Sequence, residues 1–162
     1  MNTEKKAARP IDPKTALTKA ESYCAYQERS QQEVRDKLYA FGLHSRDVEE
    51  IISNLIQNNF LNEERFATAY ALGKFRMKQW GKLKIKAGLK SKRVSAALIS
   101  KALKQIDQEE YYATLESVIR KKEAGLKEKN ALLKKQKLAQ FVAGRGFESD
   151  LIFEILNTSD LI

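Results

Sequence analysis

Apolar residues recur at three- and four-residue steps along almost the whole chain. That spacing predicts amphipathic helices, and there is no alternating β-branched run or Asn-Gly turn to suggest strands. A first helix is expected from just after Pro13 to about Glu28, with Leu17, Ala20, Cys24 and Gln27 on one face. Ser30-Gln-Gln-Glu33 reads as a capping box, the serine accepting from the Glu33 amide while the carboxylate reaches back. The second helix then carries Val34, Leu38 and Phe41 inward and stops at Gly42. Ser45 is the expected cap of a third helix, with Asp47, Glu49 and Glu50 near its positive end and a stripe of Val48, Ile51, Ile52 and Leu55. Asn62 should cap a fourth helix reaching about Gln79, broken by Trp80-Gly81 and burying Phe66, Ala67, Tyr70, Ala71 and Phe75.

The second half continues the pattern. A fifth helix over Lys82 to Ser91 buries Ile85 and Leu89, and a sixth over Ser95 to Gln105 buries Leu98, Ile99, Ala102 and Leu103. Asp107 to Glu110 starts a seventh with the stripe Tyr112, Leu115, Val118 and Ile119, and the polar run Lys121–Lys129 reads as a loop or frayed end. An eighth helix, Ala131 to Ala143, buries Leu138, Phe141 and Val142. Gly144-Arg-Gly146 ends it, and Phe147 leads into a ninth helix burying Leu151, Ile152, Ile155 and Leu156.

These elements fall into three repeats of three. Val34, Leu38, Leu43, Val48, Ile51 and Ile52 map 51 positions on to Ile85, Leu89, Val94, Ile99, Ala102 and Leu103. A further 53 positions lead to Leu138, Val142, Phe147, Ile152, Ile155 and Leu156, and Gly42 recurs as Gly146. A period near fifty residues signifies tandem supersecondary units. The expected organisation is a disordered arm over residues 1–13 and three-helix repeats over 14–61, 62–106 and 107–162, all-α throughout.

Charge adds a feature that the pattern alone does not show. Arg65 to Ile106 holds twelve of the 30 Lys and Arg residues and none of the 21 Asp and Glu, so the net charge of +9 is concentrated in the middle repeat. A surface this one-sided repels itself and is suited to meeting a polyanion or an acidic protein face. On the fifth helix Lys82, Lys86 and Lys90 stand at i, i+4 and i+8, with Lys84 nearby, Arg76 and Lys78 before them, and Lys92 and Arg93 after. These eight are the candidate contact residues, and Trp80 among them could stack on a base, although inter-helix packing is the commoner use. Arg120, Lys121 and Lys122 form a secondary cluster; Glu116, Glu123 and Glu128, interleaved with it and with Lys127, Lys129, Lys134, Lys135 and Lys137, point there to helix-surface pairing.

Catalytic chemistry finds little support. His44 is the sole histidine and reads as a surface residue, which leaves no Cys/His metal cluster and no His-based triad. Cys24, the one cysteine, excludes an internal disulfide and suits a reducing cytoplasm; its apolar helix face makes it a buried hydrophobe. No phosphate-binding glycine fingerprint occurs, Gly144-Arg-Gly146 following a helix rather than a strand. The polar N-terminus is not a secretory signal and no apolar run reaches membrane-spanning length.

With these motifs in place, the chain resembles the bacterial RecX family, regulators of the RecA recombinase. The resemblance rests on Ser30-Gln-Gln-Glu-Val34 with Leu38, on Phe60-Leu-Asn-Glu-Glu-Arg-Phe-Ala67, on Gly81 before Ile85 and Leu89, and on Phe141 with Gly144-Arg-Gly-Phe147. It runs from about Ala16 to Leu156; its distinctiveness lies in the order and spacing of caps and core positions rather than in any one motif. Arg93 departs from the pattern, since a glycine is common there. The resemblance implies three tandem three-helix units in an elongated, curved molecule with no enzymatic activity and no cofactor. It also implies binding along the RecA–DNA filament and damping of ATPase, strand exchange and co-protease activities, and with them a part in homologous recombination, DNA repair and the SOS response. The expected partners are that filament and single- or double-stranded DNA, contacted without sequence preference and sensitively to salt; a monomer is expected because the repeats already supply multivalency. The alternative is a helical protein acting on nucleic acid directly through its middle repeat, as a helix-turn-helix would. A third is a scaffold for some other acidic protein.

Overall fold

The computed structural model describes residues 11–158, and nine helices with no strand make up its secondary structure among them. They are α1 Pro13–Tyr26, α2 Gln31–Ala40, α3 Ser45–Gln57, α4 Glu63–Lys78, α5 Lys82–Ser91, α6 Ala96–Leu103, α7 Gln108–Ala124, α8 Ala131–Gly144 and α9 Ser149–Thr158. Most of the expected N-terminal arm lies outside the described residues. Of the rest, the Ile11 N–H donates to the Phe41 carbonyl at 3.0 Å, the Asp12 carboxylate accepts from the Thr15 N–H at 2.9 Å, and Pro13 opens α1.

Local signals set most helix starts. Both halves of the Ser30–Glu33 capping box are formed, with the Glu33 N–H donating to Ser30 Oγ at 3.0 Å and the Ser30 N–H to the Glu33 carboxylate at 3.3 Å. Ser95, Asp107 and Asn130 cap α6, α7 and α8 by the side chain accepting a first-turn N–H, without the reciprocal bond, and Asn62 Oδ1 accepts from the Arg65 N–H in the first turn of α4. The third helix differs from expectation. Its cap is His44, with extended backbone and no side-chain bond, and Ser45 is already helical.

The chain forms two compact units that meet inside α4, between Phe66 and Ala67. In the first unit α1 to α3 close over Ala16, Ala20, Cys24, Val34, Leu38, Val48, Ile51, Ile52 and Leu55, with Leu61 from the following turn. Arg65, the first cation of the acid-free stretch, is committed there: its guanidinium meets the Glu28 carboxylate at 2.9 Å and the Asn59 carbonyl at 3.1 Å. The second unit buries Phe75, Ile85, Leu89, Tyr111, Leu115, Ile119, Leu138, Val142, Phe147 and Ile155. Its centre is a row of three rings, Phe75, Tyr111 and Phe147, with successive centroids 5.7 and 5.3 Å apart.

The repeat survives in burial and in backbone. Of its eighteen matched positions all are buried except Leu103, which is half-buried. The turn after the second helix of each repeat takes the left-handed conformation at the equivalent residue, with φ +85° at Gly42, +58° at Arg93 and +94° at Gly146. Arg93 therefore occupies, with a Cβ, a position that glycine fills in the other two copies.

Several core expectations shift. Tyr111, not Tyr112, is the core tyrosine of α7, because its ring completes the aromatic row and its hydroxyl finds two polar partners. Ala16 replaces Gln27 on the buried face of α1; the helix stops at Tyr26, so Gln27 lies exposed past its last turn. Phe41, Tyr70, Leu98, Phe141 and Leu151 are only half-buried. α7 continues through Lys121 to Ala124, so the loop before α8 is shorter than the polar composition suggests.

Candidate functional site

The acid-free stretch is displayed on the end of α4, on α5 and on the turn into α6, and the start of α5 is fixed from the third repeat. The N-cap of the helix is Gly81, which has no side chain to cap with. Three successive donors are satisfied instead across the repeat boundary. The Gly81 N–H donates to the Arg145 carbonyl at 2.8 Å, the Lys82 N–H to the Tyr111 hydroxyl at 2.9 Å, and the Leu83 N–H to the Gly146 carbonyl at 2.9 Å. The Tyr111 hydroxyl in turn donates to the Glu148 carboxylate. Burial, reinforced by Glu148, pushes the Tyr111 phenol far above its ordinary range, so the hydroxyl stays protonated as a donor. The approach is close enough that a Cβ on Gly81 would lie 2.3 Å from the Gly146 carbonyl carbon, and one on Gly146 would lie 2.3 Å from the Lys84 Cβ. Glycine is required at both places by contact with backbone or near-backbone atoms.

On this support the candidate cations separate into distinct groups. Lys86 and Lys90 are exposed on α5, flanking its buried Ile85 and Leu89. Lys82 is half-buried, its ammonium 4.8 Å from the Tyr111 ring centroid, so it belongs partly to the repeat junction. Lys84 and Lys74 place their ammonium groups 4.6 and 4.9 Å from the Trp80 ring, which is itself half-buried. Lys78 and Arg93 are exposed and Lys92 half-buried. Arg76 is different: it reaches Glu110 at the start of α7, 3.7 Å away. Among the described residues, Lys78, Lys82, Lys84, Lys86, Lys90, Lys92 and Arg93 make no ion pair, whereas a solvated mixed-charge face would show several.

The secondary cluster divides. Arg120 pairs with Glu116 one turn earlier at 2.9 Å, a pairing along the helix surface, whereas Lys134 and Lys137 of α8 meet Glu123 of α7 and Glu128 of the intervening loop, so those pairs join different elements. Lys121 and Lys122 instead line a cleft with Gln79, Val118, Phe141 and Arg145. Reasoning from sequence missed Arg145 and the half-exposed ring of Phe141. Gly144-Arg-Gly146 ends α8, yet an arginine between two glycines at a helix terminus is also a cation set off the helix face. His44 is exposed, burial pushes the Cys24 thiol above its ordinary range, and no group of three or more His, Cys, Asp or Glu among the described residues could hold a metal. No helix among them is long and apolar enough to cross a membrane.

Comparison with known proteins agrees along the whole length of the helical body. Three family models match, described as the first, second and third three-helix domains of RecX, over residues 16–55, 62–103 and 108–156. A regulatory protein RecX of Pelodictyon phaeoclathratiforme is 32% identical over 82% of this chain and 81% of its own length. One from Bacillus mycoides is 28% identical over 85% of this chain but 51% of its own, so the chain spans about half the length of the Bacillus relatives it matches. The crystal structure of RecX from Lactobacillus salivarius superimposes with a TM-score of 0.84 at 25% identity, covering 93% of this chain and 97% of that one.

Proposed function

This chain belongs to the RecX family of regulatory proteins, and from that premise we propose that it is a non-enzymatic regulator that binds the RecA–DNA filament and inhibits its recombinase, ATPase and co-protease activities. Homologous recombination, DNA repair and the SOS response in the cytoplasm are the processes it would modulate. The observation that carries this reading is the basic surface around α5, where Lys86 and Lys90, with Lys78, Lys84, Lys92 and Arg93 around them, make no ion pair among the described residues. A filament presents phosphates and acidic protein faces at a regular spacing. A chain of three similar units engages several of them at once and gains effective concentration from each. Inhibition then follows from binding one filament state better than others, which slows nucleotide turnover without contact to the nucleotide. The DNA component of the contact is sequence-independent and weakens steeply with salt. A monomer suffices, since the repeats provide the multiplicity.

A second reading, direct action on DNA through the middle repeat, is supported by one detail: the first turn of α6 is free of acid, whereas that of α3 contains Asp47 and that of α9 Asp150. A titration of RecA ATPase on single-stranded DNA with the purified protein separates the two. Inhibition at substoichiometric amounts, with naked duplex DNA bound weakly and without a footprint, supports the filament reading; a reproducible footprint on naked duplex with no effect on RecA overturns it.

A further inference from the structure

The cleft formed by the end of α4 with α7 and α8 has a composition that the filament reading does not by itself require. It encloses about 250 Å³ and is lined by Gln79, Val118, Lys121, Lys122, Phe141 and Arg145. Three of the six are cations and none is acidic. The acids nearest in sequence are spoken for elsewhere, Glu116 by Arg120 and Glu123 by Lys134. The Lys122 ammonium lies 4.6 Å and the Arg145 guanidinium carbon 5.1 Å from the centroid of the Phe141 ring. Arg145 is anchored, with one terminal nitrogen donating to the Lys78 carbonyl at 3.1 Å, which leaves its other donors for a ligand. Gln79, just past the end of α4 and with a left-handed backbone at φ +54°, completes the lining.

A bare phosphate needs only the cations. Phe141, which is half-exposed, adds an aromatic wall of the kind on which a base stacks, the buried Val118 adding only apolar lining, and a guanidinium beside the ring stacks equally well. An acidic side chain would satisfy the cations but leave that wall unused. We infer that this cleft binds one nucleotide unit, its phosphate held by Lys121, Lys122 and Arg145 and its base laid against Phe141. The inference rests on the polyanion-binding reading above and deepens it: the third repeat would hold a nucleotide of the single strand at a point separate from the α5 lysines. The same chemistry is offered by a free nucleotide.

The test uses the full chain and a ten-residue oligothymidylate carrying one 5-iododeoxyuridine, which cross-links on irradiation to an aromatic side chain stacked upon it. Peptide mapping is expected to place the cross-link on Phe141, and Phe141→Leu to abolish it. The Lys121→Glu/Lys122→Glu variant should bind the oligonucleotide about tenfold more weakly, on the order expected for losing a stacked base together with its phosphate contacts. Lys86→Glu/Lys90→Glu serves as the control for the other surface: it should lower affinity while leaving the Phe141 cross-link in place. Competition by millimolar thymidine monophosphate as effective as by unlabelled oligonucleotide assigns the cleft to free nucleotides; competition by the oligonucleotide alone assigns it to the strand. Cross-links confined to other residues, with affinity unaffected by the Lys121/Lys122 changes, overturn the cleft and leave the α5 surface intact. Displacement of the oligonucleotide by polyglutamate with no cross-link at Phe141 overturns it in favour of an acidic peptide. An oligonucleotide that does not bind at all overturns both this inference and the DNA component of the proposed function.

Discussion

Arg93 holds φ +58° where its counterparts Gly42 and Gly146 hold +85° and +94°. A side chain in that region costs on the order of 1 kcal/mol, part of which glycine would give back through its greater freedom in the unfolded chain. Arg93→Gly is therefore expected to raise stability by about 0.5–1 kcal/mol in urea unfolding, while weakening polyanion binding slightly through the lost charge; a clear loss of stability would contradict the strain. Retaining an arginine at a position built for glycine is consistent with a use for its charge. Tyr111 is a second residue whose role can be isolated. Tyr111→Phe keeps the aromatic row but leaves the Lys82 N–H and the Glu148 carboxylate without their shared partner, at a cost of about 1–3 kcal/mol. Chemical unfolding should show that loss, and an unchanged midpoint would mean that water replaces the hydroxyl. Gly81→Ala should be more damaging, since the nearest atoms are backbone and cannot give way; about 2 kcal/mol or more is expected by the same measurement.

At the scale of elements, α5 joins the basic surface to the repeat junction. Its first turn is held by Arg145, Tyr111 and Gly146, and its later turns present Lys86 and Lys90. Charge reversal should accordingly be placed late in the helix. Lys86→Glu/Lys90→Glu is expected to weaken filament inhibition roughly tenfold or more, with the helical circular dichroism unchanged, by the loss and reversal of several close charge contacts. Reversing Lys82 as well would disturb the contact with Tyr111, and a stability loss in that triple variant would say nothing about binding. The division between what the chain reveals and what it hides follows the range of the forces. Ser30, Asn62 and Asp107 were legible as caps because each bonds within three residues, and the apolar stripes were legible because helical period is local. The exposed α5 lysines were legible as an absence of acid. The choice of Tyr111 over Tyr112 was not, because its partners lie 29 and 37 residues away and both tyrosines satisfy the stripe. Arg76 looked free for the same reason, its partner Glu110 standing just outside the stretch that defined the anomaly. The cleft was hidden most fully, as it gathers Gln79, Lys122 and Arg145 from three helix ends.

For the whole molecule, the fold supplies repetition and the charge supplies asymmetry. Three repeats share one helical plan, and the second compact unit carries every cation proposed to meet a polyanion. That arrangement would suit the proposed regulator of a repeating surface, to which the α5 lysines would lend strength and salt sensitivity. Between 50 and 200 mM salt the affinity for filament should fall at least tenfold if several phosphates are contacted, and a flat response would point to a contact made chiefly with protein. The central claim is filament inhibition, and the most direct measurement is the rate of RecA-catalysed ATP hydrolysis on single-stranded DNA as this protein is added. The account predicts a fall in rate complete well below one molecule per RecA protomer, relieved by Lys86→Glu/Lys90→Glu. An unchanged rate at a molar excess, with the protein shown to be folded, would contradict it.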